Sequence, residues 1–184
     1  TITEGEVFQL SYLRTFDMTE NHMMQIIGTK TAALFSASCE MGAALLDLDE
    51  KLQCQLHEYG YHLGVAFQLI DDILDYTGDE ASLGKSVGDD LAEGKVTLPL
   101  LIAYERSNKE TKDKLHAIIS KAKVTEDDFA FALQALHETN AIDAVFEIAH
   151  GHAMEATRCL SDIEGHEIKD ILEELPRSIL MRQG

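Results

Sequence analysis

Proline occurs at only two positions in 184 residues, Pro99 and Pro176, and long stretches of the chain pass without any cluster of turn residues. Breakers of that kind are what punctuate helices and strands, and their scarcity favours an all-α protein. Thr1 to about Leu13 reads as a first helix, with Val7, Leu10 and Leu13 or Phe16 facing inward. Thr19 is a good cap for a second, with Glu20 just behind it, running to about Leu46. Asp47 or Asp49 starts a third that continues to about Tyr76. Helices of this length suit a bundle in which each crosses the whole domain. Thr77 to Lys95, rich in Gly, Asp and Ser, is the one long non-helical segment, and loops of this length in compact domains tend to be functional. Shorter helices are expected at about 97–106, 109–122, 126–139, 142–163 and 168–181, the last kinked or broken at Pro176. The pattern predicts a single α-helical domain over 1–184.

Composition narrows the partners. Apolar residues make up 45 % of the chain, enough to bury a core. The net charge of −18, from 15 basic and 33 acidic side chains, repels nucleic acid and anionic membranes. An anionic ligand would need local lysines or divalent cations to offset that field. No apolar run is long enough to span a bilayer. Cys39, Cys54 and Cys159 are odd in number and form no Cys-x-x-Cys pair, which reads as buried free thiols in a reducing cytosol. The opening, TITEGEVFQLSYL, has neither the basic nor the apolar segment of a signal peptide, so a cytoplasmic protein is expected.

The most informative stretch is FQLIDDILDYTGDEASLGKS, Phe67 to Ser86. Its Gly-Lys-Ser end invites a nucleotide-cradling loop, but five residues separate Gly78 from Gly84 where that loop has four, and a helix precedes it in place of a strand. A calcium loop beginning at Asp75 fails too, with Thr77 at the third position and Ser86 at the twelfth. The carboxylates are more coherent. At about 100° per residue, Asp75 falls about 40°, Gln68 about 60° and Asp72 about 100° from Asp71. The rest of the circumference carries Val65, Phe67, Leu69, Ile70, Ile73 and Leu74, so the helix is central and its acidic stripe is not a free surface.

Acidic side chains on a buried helix, with no Lys or Arg one turn away, repel one another unless a cation is present. Mg²⁺ fits best, because it takes few protein oxygens and shares the rest between water and substrate phosphates. Lys30, Lys85 and Lys95 supply the complementary charge, and with the carboxylates they describe a pocket for a Mg²⁺-bridged diphosphate. A solvated acidic face with ordinary surface lysines is the plainer alternative.

Other candidates carry less. Only Glu147 to His150 matches a Glu-x-x-His element, so a di-iron bundle is excluded. His57 with His62, and His150 with His152, are wrongly spaced for one helical face, and structural or surface roles are expected for the histidines. Met18, Met23, Met24 and Met41 read as core or dimer-contact residues, or as the lining of an apolar tunnel.

At these residues the sequence resembles the trans-isoprenyl diphosphate synthases, or polyprenyl synthetases. GVAFQLIDDILDYTGD and LGKSVGDDLAEGKVTLPLL are similar to the region of that family's second aspartate-rich motif, most like the longer-chain bacterial members. GEVFQL and GTKTAALF match its Gln-bearing helix and its Lys-Thr motif. The resemblance runs from about Gly5 to Leu101 and continues more loosely to the end. It implies the C-terminal part of an isoprenoid-synthase helical bundle, usually homodimeric, that joins isopentenyl diphosphate to an allylic prenyl diphosphate by Mg²⁺-assisted ionisation.

Carried over by residue, the resemblance implies that Asp71, Asp72 and Asp75 hold Mg²⁺ against the allylic diphosphate, Asp71 most directly. Lys30, Lys85 and Lys95 would contact that diphosphate. Thr31 and Gln68 would line the reacting carbon, with Gln9 on the same wall and Asp89 and Asp90 behind metal or lysine. Lys30, Thr31 and Gln68 make the expected catalytic set. The loop from Thr77 to Lys95 would close over the diphosphate as a lid.

The resemblance is incomplete. No Asp-Asp-x-x-Asp precedes Asp71, and neither Asp89-Asp90 nor Asp127-Asp128 substitutes for one. The family's basic motif for isopentenyl diphosphate and its Arg-Arg-Gly are also absent. The chain therefore reads as lacking the family's N-terminal portion, and these 184 residues alone are expected to be inactive. A class I terpene cyclase would share the metal chemistry, but the Phe-Gln string and Lys-Thr pair favour the prenyltransferase. The reading from a different class is a non-catalytic subunit that binds and regulates a partner synthase.

Overall fold

The computed structural model describes residues 2–78, 88–163 and 167–182, and every regular element among them is helical, as the sequence predicts. In chain order these are α1 (Ile2–Leu10), α2 (Glu20–Ile27), a π-helical turn (Gly28–Ala32), α3 (Ala33–Leu45), α4 (Glu50–Thr77), α5 (Asp89–Glu93), α6 (Leu98–Arg106), α7 (Lys109–Ile119), α8 (Glu126–Glu138), α9 (Ala141–Cys159) and α10 (Glu167–Met181).

Local chemistry sets most of the starts. Thr19 Oγ1 accepts from His22 N, and His22 Nδ1 accepts from Thr19 N in return, closing a capping box on α2. Asp49 accepts from Leu52 N at 2.9 Å and begins α4. Thr125 and Asp128 make the reciprocal pair at α8, and Pro99 occupies the first turn of α6, where no helical N–H is needed.

α4 is the axis of the bundle. Val65, Ala66, Leu69, Ile70 and Ile73 along it are wholly buried. α3 and α9 pack most extensively against it, with α6 and α10 adding further contacts. α3 lies close because α4 presents glycines there. A Cβ on Gly60 would stand 2.5 Å from Phe35 O, and one on Gly64 2.7 Å from the Cα of Ala32. On the other flank the imidazoles of His62 (α4) and His152 (α9) meet Nδ1 to Nδ1 at 2.8 Å. The pairing crosses between helices, so spacing within either one could not reveal it.

Four expectations need correction. The second helix is not uniform, because a wide π turn at 28–32 separates α2 from α3. The first helix packs through Gly5, whose Cβ would meet Thr29 Oγ1 at 2.5 Å, and it leaves Val7 and Leu10 exposed. The segment after α4 is not wholly irregular: α5 stands between Gly88 (φ 86°) and Gly94 (φ 81°), both left-handed and suited to glycine. Residues 79–87, with Lys85 and most of the expected lid, lie outside the described residues. Finally, α10 runs through Pro176 to Met181 without breaking. Proline removes the N–H that Leu172 O would accept, and Tyr59 OH donates to that carbonyl at 2.8 Å instead.

Candidate functional site

A small cleft opens where α1, α2, the π turn, the second half of α4 and the stretch from α5 to the start of α6 converge. Gln9, Lys30, Thr31, Gln68, Asp72, Asp90 and Lys95 all line it, so seven of the sequence-predicted positions share one cavity. Met23, Ile26 and Ile27 form its apolar wall.

Backbone geometry aims these groups. A π turn admits one extra residue per turn, and Lys30 and Thr31 both fall within it. Lys30 Nζ donates to Gln9 Oε1 at 2.7 Å and pairs with Glu6 at 3.0 Å. Thr31 Oγ1 donates to Gln68 Oε1 at 2.7 Å. Gln68 Nε2 in turn donates to Asp72 Oδ1 at 2.8 Å, one turn along α4. The chain of three fixes the Gln68 amide, with its carbonyl toward the hydroxyl and its nitrogen toward the carboxylate.

The acidic residues divide by burial. Asp72 is buried and lines the cleft, Asp71 is half-buried, and Asp75 is 1 % exposed and accepts from Asp90 N at 3.2 Å. Burial pushes the Asp72 carboxyl up to about 8, and the charges of Asp90, Asp71 and Asp75 push the same way against the hydrogen bond from Gln68. Such a group stays protonated near neutrality unless positive charge arrives. Asp90, on α5, also lines the cleft and accepts from Lys95 at 3.2 Å. Lys95 pairs with Glu93 at 2.6 Å as well. Burial works against the Lys95 charge, but Glu93 and Asp90 outweigh it and its pKa is raised.

The donor set fits a hard cation. It is all carboxylate and amide oxygen, concentrated around one buried acid whose ionisation needs a counter-charge. Among the described residues no three His, Cys, Asp or Glu side chains are grouped to hold a metal by themselves.

Three contributors escape the sequence reading. Thr97 lines the cleft and meets Tyr76 OH at 3.2 Å. Glu6 and Glu93 are ordinary acidic residues in a strongly acidic chain, and only their contacts with Lys30 and Lys95 single them out.

Fold and cleft together define a helical bundle that gathers two lysines, a Thr–Gln pair and buried carboxylates on one cleft. The Polyprenyl synthetase family model matches residues 1–136, and the chain belongs to that family. It is 35 % identical over 182 residues, 98 % of its length, to a prenyl transferase of Cyanidium caldarium, of which it covers 54 %. It is 45 % identical over 120 residues, 65 % of its length, to the octaprenyl diphosphate synthase of Escherichia coli K12, covering 37 % of that protein. The crystal structure of a polyprenyl synthase from Caulobacter crescentus CB15, complexed with calcium and isoprenyl diphosphate, superposes with a TM-score of 0.94 at 38 % identity. That match covers 100 % of this chain and 56 % of the other. The chain spans about half the length of the curated relatives it matches along its whole extent.

Proposed function

We propose that the protein carrying this chain is a trans-polyprenyl diphosphate synthase, which condenses isopentenyl diphosphate with an allylic prenyl diphosphate to lengthen a prenyl chain. The observation that carries this reading is the convergence of Lys30, Lys95, the Thr31–Gln68 pair and Asp72 on one cleft with an apolar wall. Relatives named as synthases favour the catalytic reading over a regulatory subunit.

The chemistry follows from what each group can do. Lys30 and Lys95 take the charge of the allylic diphosphate as its bond to carbon breaks. Asp71, Asp72 and Asp75 would hold Mg²⁺, which when bound would supply further charge neutralisation for that leaving group. Thr31 Oγ1 and Gln68 Oε1 face the reacting carbon with oxygen dipoles, which favour positive charge there. Met23, Ile26 and Ile27 exclude the water that would otherwise capture it. Lys85 belongs to the same proposal as a further diphosphate contact. No helix among the described residues is long and apolar enough to cross a membrane. We infer a cytoplasmic homodimer.

The test is prenyl elongation by the full-length protein, with labelled isopentenyl diphosphate and Mg²⁺. Asp72→Asn is expected to lower kcat/KM by a factor on the order of 10² or more, as loss of transition-state charge stabilisation does elsewhere. Full activity in that variant would remove Asp72 from the reaction, and no elongation by the wild-type protein would leave the regulatory reading in its place.

A further inference from the structure

Neither lysine of the cleft presents a bare charge. Each has an inner partner on the cleft wall, Gln9 for Lys30 and Asp90 for Lys95, and an outer partner that does not line the cleft, Glu6 and Glu93 respectively.

Glu93 is the more telling of the two. It is the last residue of α5, and its side chain is 61 % exposed, against 23 % for Asp90. It contacts Lys95 more closely than Asp90 does, at 2.6 Å against 3.2 Å. Its carboxyl is held below the usual range, first by the hydrogen bond and charge of Lys95, and also by the charge of Lys30 across the cleft. Glu93 thus engages the same Lys95 ammonium that an anionic ligand in the cleft would engage.

We propose that Glu93 is a built-in stand-in for the diphosphate, neutralising Lys95 in the free protein and yielding the lysine when a diphosphate enters. The inference rests on the function proposed above and adds a role in ligand selection. An exposed ion pair is weak and easily exchanged. A diphosphate, with several charges and two lysines to engage, displaces it readily. A singly or doubly charged anion such as inorganic phosphate gains less from the exchange and is held off. Glu93 thereby sets a charge threshold for occupancy, and by reclaiming Lys95 it assists the release of product diphosphate.

The experiment is a titration of the full-length protein with inorganic diphosphate, and separately with inorganic phosphate, each with Mg²⁺. Wild type is compared with Glu93→Gln, and thermal melts check that both are folded. Glu93→Gln is expected to bind diphosphate on the order of fivefold more tightly, the scale of one exposed ion pair, and to strengthen phosphate binding by a similar factor, bringing it into the measurable range. In turnover it is expected to lower both KM for the allylic substrate and kcat. Unchanged or weaker diphosphate binding, or a raised KM, overturns the stand-in and makes Glu93 a brace for α5. If neither protein binds diphosphate, the proposed function itself fails, and the stand-in with it.

Discussion

The hydroxyl of Tyr59, buried on α4, donates at 2.8 Å to the carbonyl of Leu172 on α10. That carbonyl is the one a helix would ordinarily pair with the N–H of residue 176, where this chain has proline. A break in one helix has become a bond between two. Tyr59→Phe is expected to cost about 1–2 kcal/mol, since the carbonyl then lacks an acceptor's partner away from water. In a Pro176→Ala background, which restores the helical donor, the same change should cost measurably less. Urea unfolding of the four proteins of this cycle checks the coupling, and equal costs in both backgrounds would refute it.

The His62–His152 contact predicts a pH dependence. Burial first, then the neighbouring His62, lowers the His152 pKa below its ordinary value, with Glu155 opposing. A head-on Nδ1–Nδ1 bond needs one nitrogen to donate and the other to accept. The folded state therefore resists protonation that the unfolded chain accepts. The resulting stability is fully present above about pH 6.5 and is lost as pH falls through the depressed pKa. Melting temperature measured from about pH 7.5 down to about pH 5 should fall more steeply in wild type than in His152→Gln. Parallel slopes would dismiss the pair as a titrating element.

Asp128 acts at lower pH. Hydrogen bonds from Lys121 and from Thr125 hold its carboxyl down to about 2. A depressed carboxylate stabilises the fold above its unfolded value near 4 and loses that contribution between about pH 4 and about pH 2. Asp128→Asn should therefore be less stable than wild type at neutral pH, with a gap that narrows across this window in acid unfolding. A gap independent of pH would point to the cap geometry alone.

Gly60→Ala tests the approach of α3 to α4. Its Cβ would meet backbone, Phe35 O at 2.5 Å, and backbone cannot swing aside as a side chain can. Overpacking of this kind costs about 1–3 kcal/mol. Gly42, with nothing within 4 Å, is the control, and Gly42→Ala should be neutral or slightly stabilising. Denaturant midpoints for the two variants decide it.

The proposed site predicts a thermal shift that needs both halves of its ligand. Mg²⁺ with a bisphosphonate should raise the melting temperature of the full-length protein, and neither alone should do so to a comparable extent. The combined shift should disappear in Asp72→Asn. A full shift from Mg²⁺ alone would contradict a cation site shared with diphosphate.

Periodicity and caps made the bundle legible. The apolar circumference around Gln68, Asp71, Asp72 and Asp75 placed α4 at the centre, and Thr19 marked the start of α2 and Asp47 or Asp49 that of α4, because these signals are local. What escaped depends on partners distant in sequence. Pro176 reads as a break until Tyr59 is brought to Leu172, and His62 reads as a surface residue until α9 supplies His152. Val7 and Leu10 look like an inward stripe, yet α1 docks through glycine, which has no apolar signature. Lys30, Thr31 and Gln68 were legible through family resemblance, while the role of Glu93 lies in a contact that no motif records.

The π turn at Gly28–Ala32 carries a consequence of its own. An extra residue wound into one turn changes the phase of everything after it, so that α3 is rotated about its axis relative to where a regular continuation of α2 would have carried it. The placement of Lys30 and Thr31 is thus a matter of counting as much as of chemistry. Removing one residue between Ile27 and Ala33 would leave every side chain of the cleft encoded and swing them past their targets. A conservative exchange of Lys30 would disturb the site less than a deletion that spares it.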